Sequence, residues 1–362
     1  MYHLTIGIMT KTMKRLLLGV AAIVGSVQIS FACTGISLTA ADGSYIQART
    51  IEWAYGALKS EYVIIPRGQA LQSYTPTGRN GMKFKSRYGV VGLAVVEKEF
   101  IAEGINEAGL SAGLFFFPRY GSYESYESVD NARTLADLQV VQWMLTQCAT
   151  IDEVMEAVKH VRIVALEKTS VVHWRIGEPS GRQVVMEIVG GEVNFYENEV
   201  GVLTNAPGYN WQVTNLENYV NLRPGSASSY QLGGVTLEPN GGSTAMHGLP
   251  GDFTPPSRFV RAAFFRNTAP QRATGVDTVL EAFHLLNNFD VPIAIENPAE
   301  HNLPSATQWT SAIDLSSRTV YYKTAYNSTI RSISLDNIDF ARVKYASYPL
   351  DTVQREPIEV LY

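Results

Sequence analysis

The sequence predicts an α+β protein in which layers of antiparallel sheet and helix stack on one another. Strand-like segments follow one another in runs, helical segments come after each run, and the order strands, helices, strands, helices suggests this layered class. Short turns such as Asp42-Gly43 separate the strands within a run. Hydrophobic residues make up 46% of the 362 residues, which is enough for a sizeable core.

The first run of strands is predicted from alternating or β-branched residues that lie between turn signals. The sequence Asn106-Glu-Ala-Gly109 predicts the last turn of this run. The predicted strands are Thr34–Ala40, Ser44–Arg49, Glu61–Pro66, Gly89–Glu97, Phe100–Ile105 and Leu110–Phe117.

Helical spacing replaces this alternation in the middle of the chain. Apolar residues recur at helical intervals over Thr134–Cys148, and Thr150-Ile-Asp-Glu153 is a capping-box pattern that predicts a second helix through Val161. Strands are predicted again over 170–204 and 308–335, helices over Ser257–Phe265 and Asp277–Asn288, and a long Gly-, Pro- and Ser-rich loop over 221–256.

Composition excludes several classes of function. The formal net charge is -5, and no cluster of Lys and Arg occurs beyond residue 15, so the basic face of a nucleic-acid-binding protein is missing. The two cysteines, Cys33 and Cys148, are too few for a disulfide framework or a multi-cysteine zinc site. The six histidines show no metal-binding spacing.

Residues 1–32 have the pattern of a secretory signal peptide. Lys11 to Arg15 supply positive charge, Leu16–Ile29 is an apolar stretch of 14 residues, and Ser30 and Ala32 are small residues at positions -3 and -1. The stretch is too short to span a bilayer comfortably. We therefore expect a protein exported to the periplasm or beyond, with residues 33–362 as one catalytic domain.

Cleavage after Ala32 makes Cys33 the first residue of the mature chain. Such a residue carries a thiol and a free α-amine, and a neutral amine can accept the thiol proton without any histidine. A thiolate also needs positive charge nearby, for which Arg49 is the candidate. One alternative is a lipoprotein whose Cys33 is acylated as a membrane anchor and has no catalytic role.

A second alternative is a serine esterase, because Gly109-Leu-Ser-Ala-Gly113 matches the GxSxG pattern. A nucleophile elbow needs a strand before the serine and a helix after it. Here a turn precedes the motif, and Leu114-Phe-Phe-Phe-Pro118 follows. The sequence therefore favours a small-residue strand at Ser111 over a nucleophile.

Several short segments, in order along the chain, resemble the choloylglycine hydrolase family. Cys33-Thr-Gly stands at the cleavage point, and Ala48-Arg-Thr-Ile-Glu-Trp53 follows it. The later segments with the family's pattern are Asn106–Leu114, Gly201–Pro207, Gly248–Asp252 with Ser257–Ala262, Gln308–Thr310 and Tyr321-Tyr322. This family of N-terminal nucleophile hydrolases includes bile salt hydrolases and penicillin V acylases.

The resemblance implies a four-layer αββα sandwich, two antiparallel sheets flanked by helices, with Cys33 at its centre. It implies that the Sγ of Cys33 is the nucleophile and that the α-amine of the same residue is the base. Arg49 then favours the thiolate. Glu52 stands where the family usually has Asp and is expected to hold the α-amine in place.

The resemblance also implies the groups that stabilise the transition state. The side-chain amide of Asn205 and a backbone N–H near Phe115 are expected to form the oxyanion hole, and Arg258 to support the charge network. The reaction is hydrolysis of a non-peptide C–N amide bond through a thioester, and it needs no metal ion or organic cofactor. Members of the family also lead us to expect a bacterial homotetramer.

The substrate is predicted only as a small molecule with an apolar acyl group. Conjugated bile salts are favoured, with penicillin V and acyl-homoserine lactones as alternatives, because Glu52-Trp53 resembles the Asp-Trp pair of Gram-negative members. Among the aromatic residues around the motifs, those expected to line the pocket are Trp53, Tyr55, Phe116, Tyr209 and Trp211.

Overall fold

Two large antiparallel sheets dominate the computed structural model, which describes residues 32–53, 58–167, 171–292 and 306–362. The first sheet has six strands. In spatial order they are β14 (Val202–Leu203), β1 (Cys33–Thr39), β2 (Tyr45–Trp53), β17 (Ala306–Asp314), β18 (Thr319–Thr324) and β19 (Asn327–Ser334).

The second sheet has eight strands, and every neighbouring pair in it is antiparallel. In spatial order they are β13 (Glu192–Glu197), β12 (Gln183–Val189), β11 (Val172–Gly177), β8 (Ser111–Phe116), β7 (Ile101–Asn106), β6 (Val90–Val95), β3 (Ser60–Ile65) and β20 (Ala346–Pro349).

Among the described residues, three two-stranded pairs lie outside the large sheets. Two of them are antiparallel hairpins and the third is a parallel pair between segments well separated in sequence. They are β4 (Ala70–Gln72) with β5 (Lys83–Lys85), β9 (Thr134–Ala136) with β10 (Arg162–Val164), and β15 (Tyr230–Leu232) with β16 (Val235–Leu237).

Helices cover the outer faces of both large sheets. The helix α1 (Val140–Gln147) packs on β7 and β8, whereas α4 (Pro255–Thr268) and α5 (Gly275–Leu286) pack on the first sheet. The shorter helices are α2 (Ile151–Ala157) and α3 (Tyr209–Asn215). The predicted fold class, a four-layer αββα arrangement, is confirmed.

The inner faces of the two sheets pack directly against each other. A Cβ added at Gly35 of β1 would lie 2.7 Å from the ring of Phe115 on β8, so the two sheets approach too closely there for any side chain. Arg175 of β11 donates to the carbonyls of Ile36 and Ala48 in the first sheet. The core therefore contains charged side chains that connect its two inner layers.

The first predicted helix begins later than its apolar spacing suggested. Thr134–Ala136 is a strand that pairs in parallel with Arg162–Val164, and the α-helix starts only at Val140. Apolar spacing over so short a stretch does not separate a buried strand from a helix. The sequence contained no local sign of the distant partner strand.

The sequence predicted the start of helix α2 correctly and that of α4 incorrectly. Thr150 accepts a hydrogen bond from the backbone N–H of Glu153, as the capping-box pattern predicts. The predicted helix start at Ser257 is wrong, because the helix begins two residues earlier, at Pro255, with Thr254 as its N-cap. Proline is well suited to a first helical turn, since its missing N–H has no partner there in any case.

Candidate active site

Cys33 opens β1, which lies beside the edge strand β14 of the first sheet, and its side chain is buried. It lies opposite Ile51 of β2, and its backbone N–H donates to Oδ1 of Asn205 over 2.9 Å. The preceding carbonyl, that of Ala32, accepts a hydrogen bond from the backbone N–H of Glu52 at 3.0 Å. The bond between Ala32 and Cys33 therefore lies inside the cluster of predicted site residues.

The thiol of Cys33 experiences opposing electrostatic effects. Burial raises its pKa above the ordinary value, and nearby Glu52 acts in the same direction. Arg49 lowers that pKa most strongly, and Arg258 and a hydrogen bond from the backbone N–H of Phe116 also lower it. The N–H that faces the sulfur belongs to Phe116, one residue beyond the Phe115 position expected from the sequence.

Arg49 lies between the two sheets and is fully buried. Its Nη1 donates to the carbonyl of Leu114, and to that of Ala102 at 3.1 Å. Its guanidinium lies over the ring of Phe115, 4.1 Å from the ring centroid. The Nη2 of Arg49 has no hydrogen-bond partner among the described residues.

Glu103 and Arg175 connect Arg49 to the opposite sheet, and sequence reasoning missed both. Nη1 of Arg49 lies 3.6 Å from one carboxylate oxygen of Glu103, and Nη2 of Arg175 donates to the other at 3.0 Å. Glu103 and Arg175 are each 1% exposed. The available signal was the position of charged residues within predicted strands that are otherwise apolar.

Asn205 and Arg258 surround the backbone of Cys33. Oδ1 of Asn205 accepts from the Cys33 nitrogen and from Nη2 of Arg258, the latter at 2.7 Å. Nδ2 of Asn205 donates to the carbonyl of Phe116 at 2.9 Å. Arg258 also donates to the carbonyl of Cys33 and, at 3.0 Å, to Oγ1 of Thr34. The structure thus brings Cys33, Asn205 and Arg258 together.

Glu52 is buried near the same sulfur. Its Oε1 accepts from Oγ1 of Thr307 at 3.0 Å, and its Oε2 has no hydrogen-bond partner among the described residues. Burial raises the pKa of its carboxyl from an ordinary 4.5 to about 7, although Arg258 acts to lower it. One oxygen of this carboxyl is therefore free to accept another donor.

The aromatic residues predicted to line a pocket lie in different surroundings. Phe116 is buried beside the thiol, Trp53 is partly buried at the end of β2, and Trp211 is 49% exposed. Tyr209 is buried in the core, and its hydroxyl donates to Oδ1 of Asn198. None of its described contacts involves Cys33. The remaining predicted pocket residue, Tyr55, lies outside the described residues.

The GxSxG sequence does not form a nucleophile elbow. Ser111 is the first residue of strand β8 and is completely buried, and the chain continues as strand to Phe116. Its hydroxyl has no hydrogen-bond partner among the described residues. Cys148, the second cysteine, is buried at the end of α1, and burial raises the pKa of its thiol to about 12.

Comparison with known proteins identifies the family of this chain. Residues 33–348 match the family of linear amide C–N hydrolases known as the choloylglycine hydrolase family. The chain belongs to this family. It is therefore an amidase that acts on linear C–N amide bonds, as the sequence motifs predicted.

Individual relatives match over most of their length. A bile salt hydrolase/transferase from Clostridium perfringens is 31% identical over 325 residues, which covers 87% of this chain and 97% of the relative. A conjugated bile acid hydrolase from Lactobacillus gasseri is 27% identical, with coverage of 87% and 100%.

Two solved structures share the fold. A mutant conjugated bile acid hydrolase from Clostridium perfringens superposes with a TM-score of 0.79 at 28% identity, covering 91% of this chain and all of the other. A penicillin V acylase from Agrobacterium tumefaciens has a TM-score of 0.69 at 24% identity, with coverage of 87% and 90%. In the part of the chain that the structure describes, no helix is both long and apolar enough to cross a bilayer.

Replacing Arg49 tests the electrostatic environment of the thiol. Arg49→Ala removes the strongest influence that lowers the pKa of Cys33, so the thiolate fraction at neutral pH falls. We expect alkylation by iodoacetamide at pH 7 to slow by about tenfold, the effect of one pKa unit. Arg49→Lys keeps a positive charge and serves as the matched control. Equal alkylation rates for Arg49→Ala and the unmodified protein, over pH 6–10, would show that Arg49 does not lower the pKa of the Cys33 thiol.

Proposed function

We propose that the protein is an exported amidase whose active site is completed when residues 1–32 are removed and Cys33 becomes the N-terminal residue. One observation carries this proposal: the nitrogen of Cys33 already lies within the cluster, hydrogen-bonded to Asn205, while the sulfur of the same residue faces the N–H of Phe116. Cleavage after Ala32 would convert that amide into an amine at a position that Asn205 already binds.

In the proposed reaction, the α-amine of Cys33 takes the thiol proton and the sulfur attacks the amide carbonyl. The resulting oxyanion accepts hydrogen bonds from the N–H of Phe116 and from Nδ2 of Asn205. That amide nitrogen has two hydrogens, and only one is used by the Phe116 carbonyl. One oxyanion donor of this kind contributes roughly 3–4 kcal/mol to transition-state stabilisation.

The second half of the reaction uses the same groups in reverse. The α-ammonium gives its proton to the leaving nitrogen, the C–N bond breaks, and a thioester remains on Cys33. Water then loses a proton to the α-amine and attacks the thioester, which releases the acid and restores the thiol. Arg49 favours the thiolate. Arg258 donates to Asn205, whose Oδ1 binds the Cys33 nitrogen, and Glu52 is proposed to pair with the new α-ammonium.

Conjugated bile salts are the proposed substrate class. The support is the set of bile salt and conjugated bile acid hydrolases among the relatives, which match this chain along most of its length. The buried ring of Phe116 beside the thiol suits the apolar acyl part of such a substrate. The sterol acid is released and the conjugated amine leaves.

A release assay over four amides tests the substrate. Purified mature protein should release glycine from glycocholate and taurine from taurocholate with a higher kcat/KM than it shows for penicillin V or an acyl-homoserine lactone. A Cys33→Ser variant, which keeps the α-amine but has a much weaker nucleophile, is the control and should lose turnover. A clear preference for penicillin V would contradict the proposed substrate class but not the proposed amidase chemistry.

Blocking cleavage tests the role of the new amine. Ser30→Arg places a charge where signal peptidase requires a small residue, so Ala32 stays attached to Cys33. An amide nitrogen is not basic, and loss of general base catalysis typically costs 10²–10⁴-fold in rate. We expect a folded precursor with a loss of this size. Full turnover by a precursor shown to be intact by mass spectrometry would contradict the N-terminal mechanism.

Glu52 should make stability depend on processing. In the uncleaved Ser30→Arg protein, the pKa of Glu52 is about 7, above the ordinary 4.5, so folding favours the neutral carboxyl. This contribution to stability is present below pH 4.5 and is lost as the pH rises from about 4.5 to 7. Glu52→Gln should therefore raise the free energy of unfolding at pH 8 by up to about 3 kcal/mol and change little at pH 4. In the mature protein the α-ammonium offsets the buried charge, so the gain should shrink. Equal gains before and after cleavage would exclude pairing between Glu52 and the amine.

Export and a free N-terminus are parts of the same proposal. A lipid-anchored protein would need the sulfur of Cys33 at its surface, whereas this side chain is only 4% exposed and its carbonyl is bound by Arg258. Mass spectrometry of the mature protein from a periplasmic fraction should give a free N-terminal cysteine. A diacylglyceryl thioether on Cys33 would contradict the catalytic role.

We also propose a homo-oligomer, the tetramer expected from the family. The hairpin of β15 and β16 projects an apolar surface, with Tyr230, Leu232, Val235 and Leu237 each 45–62% exposed. Such a surface is suited to a second copy of the chain. Leu232→Asp should reduce the molar mass measured by light scattering, while Val353→Asp in the exposed tail should not. An unchanged mass for Leu232→Asp would exclude the hairpin as the interface.

A further inference from the structure

His173 and Glu187 form a buried polar pair behind Asn205, and the proposed chemistry does not use it. Nδ1 of His173 lies 3.0 Å from Oε1 of Glu187. The two residues occupy neighbouring strands, β11 and β12, and their side chains are 0% and 3% exposed. A buried titratable pair of this kind is costly unless its hydrogen bonds are satisfied.

Both nitrogens of the His173 ring face hydrogen-bond acceptors. Nε2 lies 3.1 Å from the carbonyl of Thr204, which accepts only, so Nε2 carries a hydrogen. Nδ1 faces the carboxyl oxygen of Glu187, and a further proton must lie between these two atoms for them to bond. The pair therefore shares one proton and has no net charge.

The pair forms hydrogen bonds with the backbone at both ends of one short segment, residues 204–209. His173 binds the carbonyl of Thr204, and Oε1 of Glu187 accepts from the backbone N–H of Tyr209 at 2.9 Å. Residues 204–209 thus run from one member of the pair to the other. The second residue of this segment is Asn205, whose side chain contacts the nitrogen of Cys33.

The surroundings of the pair leave it little freedom to move. The ring of Phe117 stacks on the imidazole, with ring centroids 4.3 Å apart and planes within 5°. Phe115 meets the imidazole edge-on from the side of Arg49. A Cβ added at Gly208 would lie 2.9 Å from Oε2 of Glu187. A glycine at this position therefore leaves room for the carboxylate.

We propose that His173 and Glu187 are positioning residues for the oxyanion hole, because together they fix residues 204–209 and thereby set the place of the Asn205 amide. The inference rests on the proposed function, in which Nδ2 of Asn205 donates to the oxyanion. Neither residue touches the substrate. Their influence is transmitted through the backbone of Thr204 and Tyr209.

A double-mutant cycle with Asn205 tests this transmission. His173→Phe keeps an aromatic ring against Phe117 but removes both hydrogen bonds of the imidazole. Glu187→Gln keeps the shape but replaces the carboxylate by a neutral amide, which can no longer offset the charge of a doubly protonated His173. Each should lower kcat about 10–100-fold with KM changed less than about threefold, as expected when a transition-state contact is lost. Asn205→Ala alone should lower kcat by about 10²–10³.

The decisive measurement is kcat of the double variants, on whichever of the four amides is turned over fastest. If His173 and Glu187 act through Asn205, adding either change to Asn205→Ala should slow the reaction by less than about twofold. Effects that multiply would overturn the inference, as would an unaltered kcat in both single variants. Glu187→Gln keeps the test open if His173→Phe does not fold.

Two controls separate this outcome from other failures. Ile188→Ala creates a cavity beside Glu187 on β12, so it should lower the melting temperature and leave kcat unchanged. A loss of kcat in this variant equal to that of His173→Phe would assign the effect to general loosening of the sheet and overturn the inference. A normal kcat in Asn205→Ala would instead contradict the proposed oxyanion role itself.

Discussion

The burial of guanidinium groups in the layers around Cys33 is the constraint on which the site depends. Arg49, Arg175 and Arg258 are 0–1% exposed, and each must find acceptors inside the protein. They find many of them in the carbonyls of the strands themselves, including those of Leu114 and Ala48. The arginines therefore connect the layers and, at the same time, fix the backbone around Cys33.

The two buried carboxylates in this network have different tasks. Glu103 lies between Arg49 and Arg175 and balances their charge across the two sheets. Glu52 acts on the thiol of Cys33, and its Oε2 has no hydrogen-bond partner among the described residues. Because three arginines outnumber two glutamates, the network retains positive charge when the thiol is neutral. Ionisation of the Cys33 thiol would reduce that excess, so the arginines oppose the effect of burial on the pKa of the thiol.

The sequence was informative wherever a role depends on local pattern. The turn residues and the family segments were enough to predict the fold class, the family and the cluster of Cys33, Asn205 and Arg258. Roles that depend on distant contacts were not accessible. Nothing near Thr134 shows that it pairs with Arg162, and nothing near His173 shows that its ring meets the carbonyl of Thr204. The one-residue difference between Phe115 and Phe116 has the same origin, because the direction of a strand N–H depends on its register with neighbouring strands.

Glu52 shows how the chain accommodates a side chain one methylene longer than the Asp usual in the family. Oε1 reaches across to Thr307 on β17, and the backbone N–H of Glu52 binds the carbonyl of Ala32. Removal of residues 1–32 would take away that carbonyl and place an ammonium group at Cys33. The buried carboxyl, whose charged form is disfavoured before cleavage, would then have a cation as its neighbour. The electrostatic cost of Glu52 in the precursor would thus become an attraction in the mature chain, so processing would both create the base and stabilise the residue that positions it.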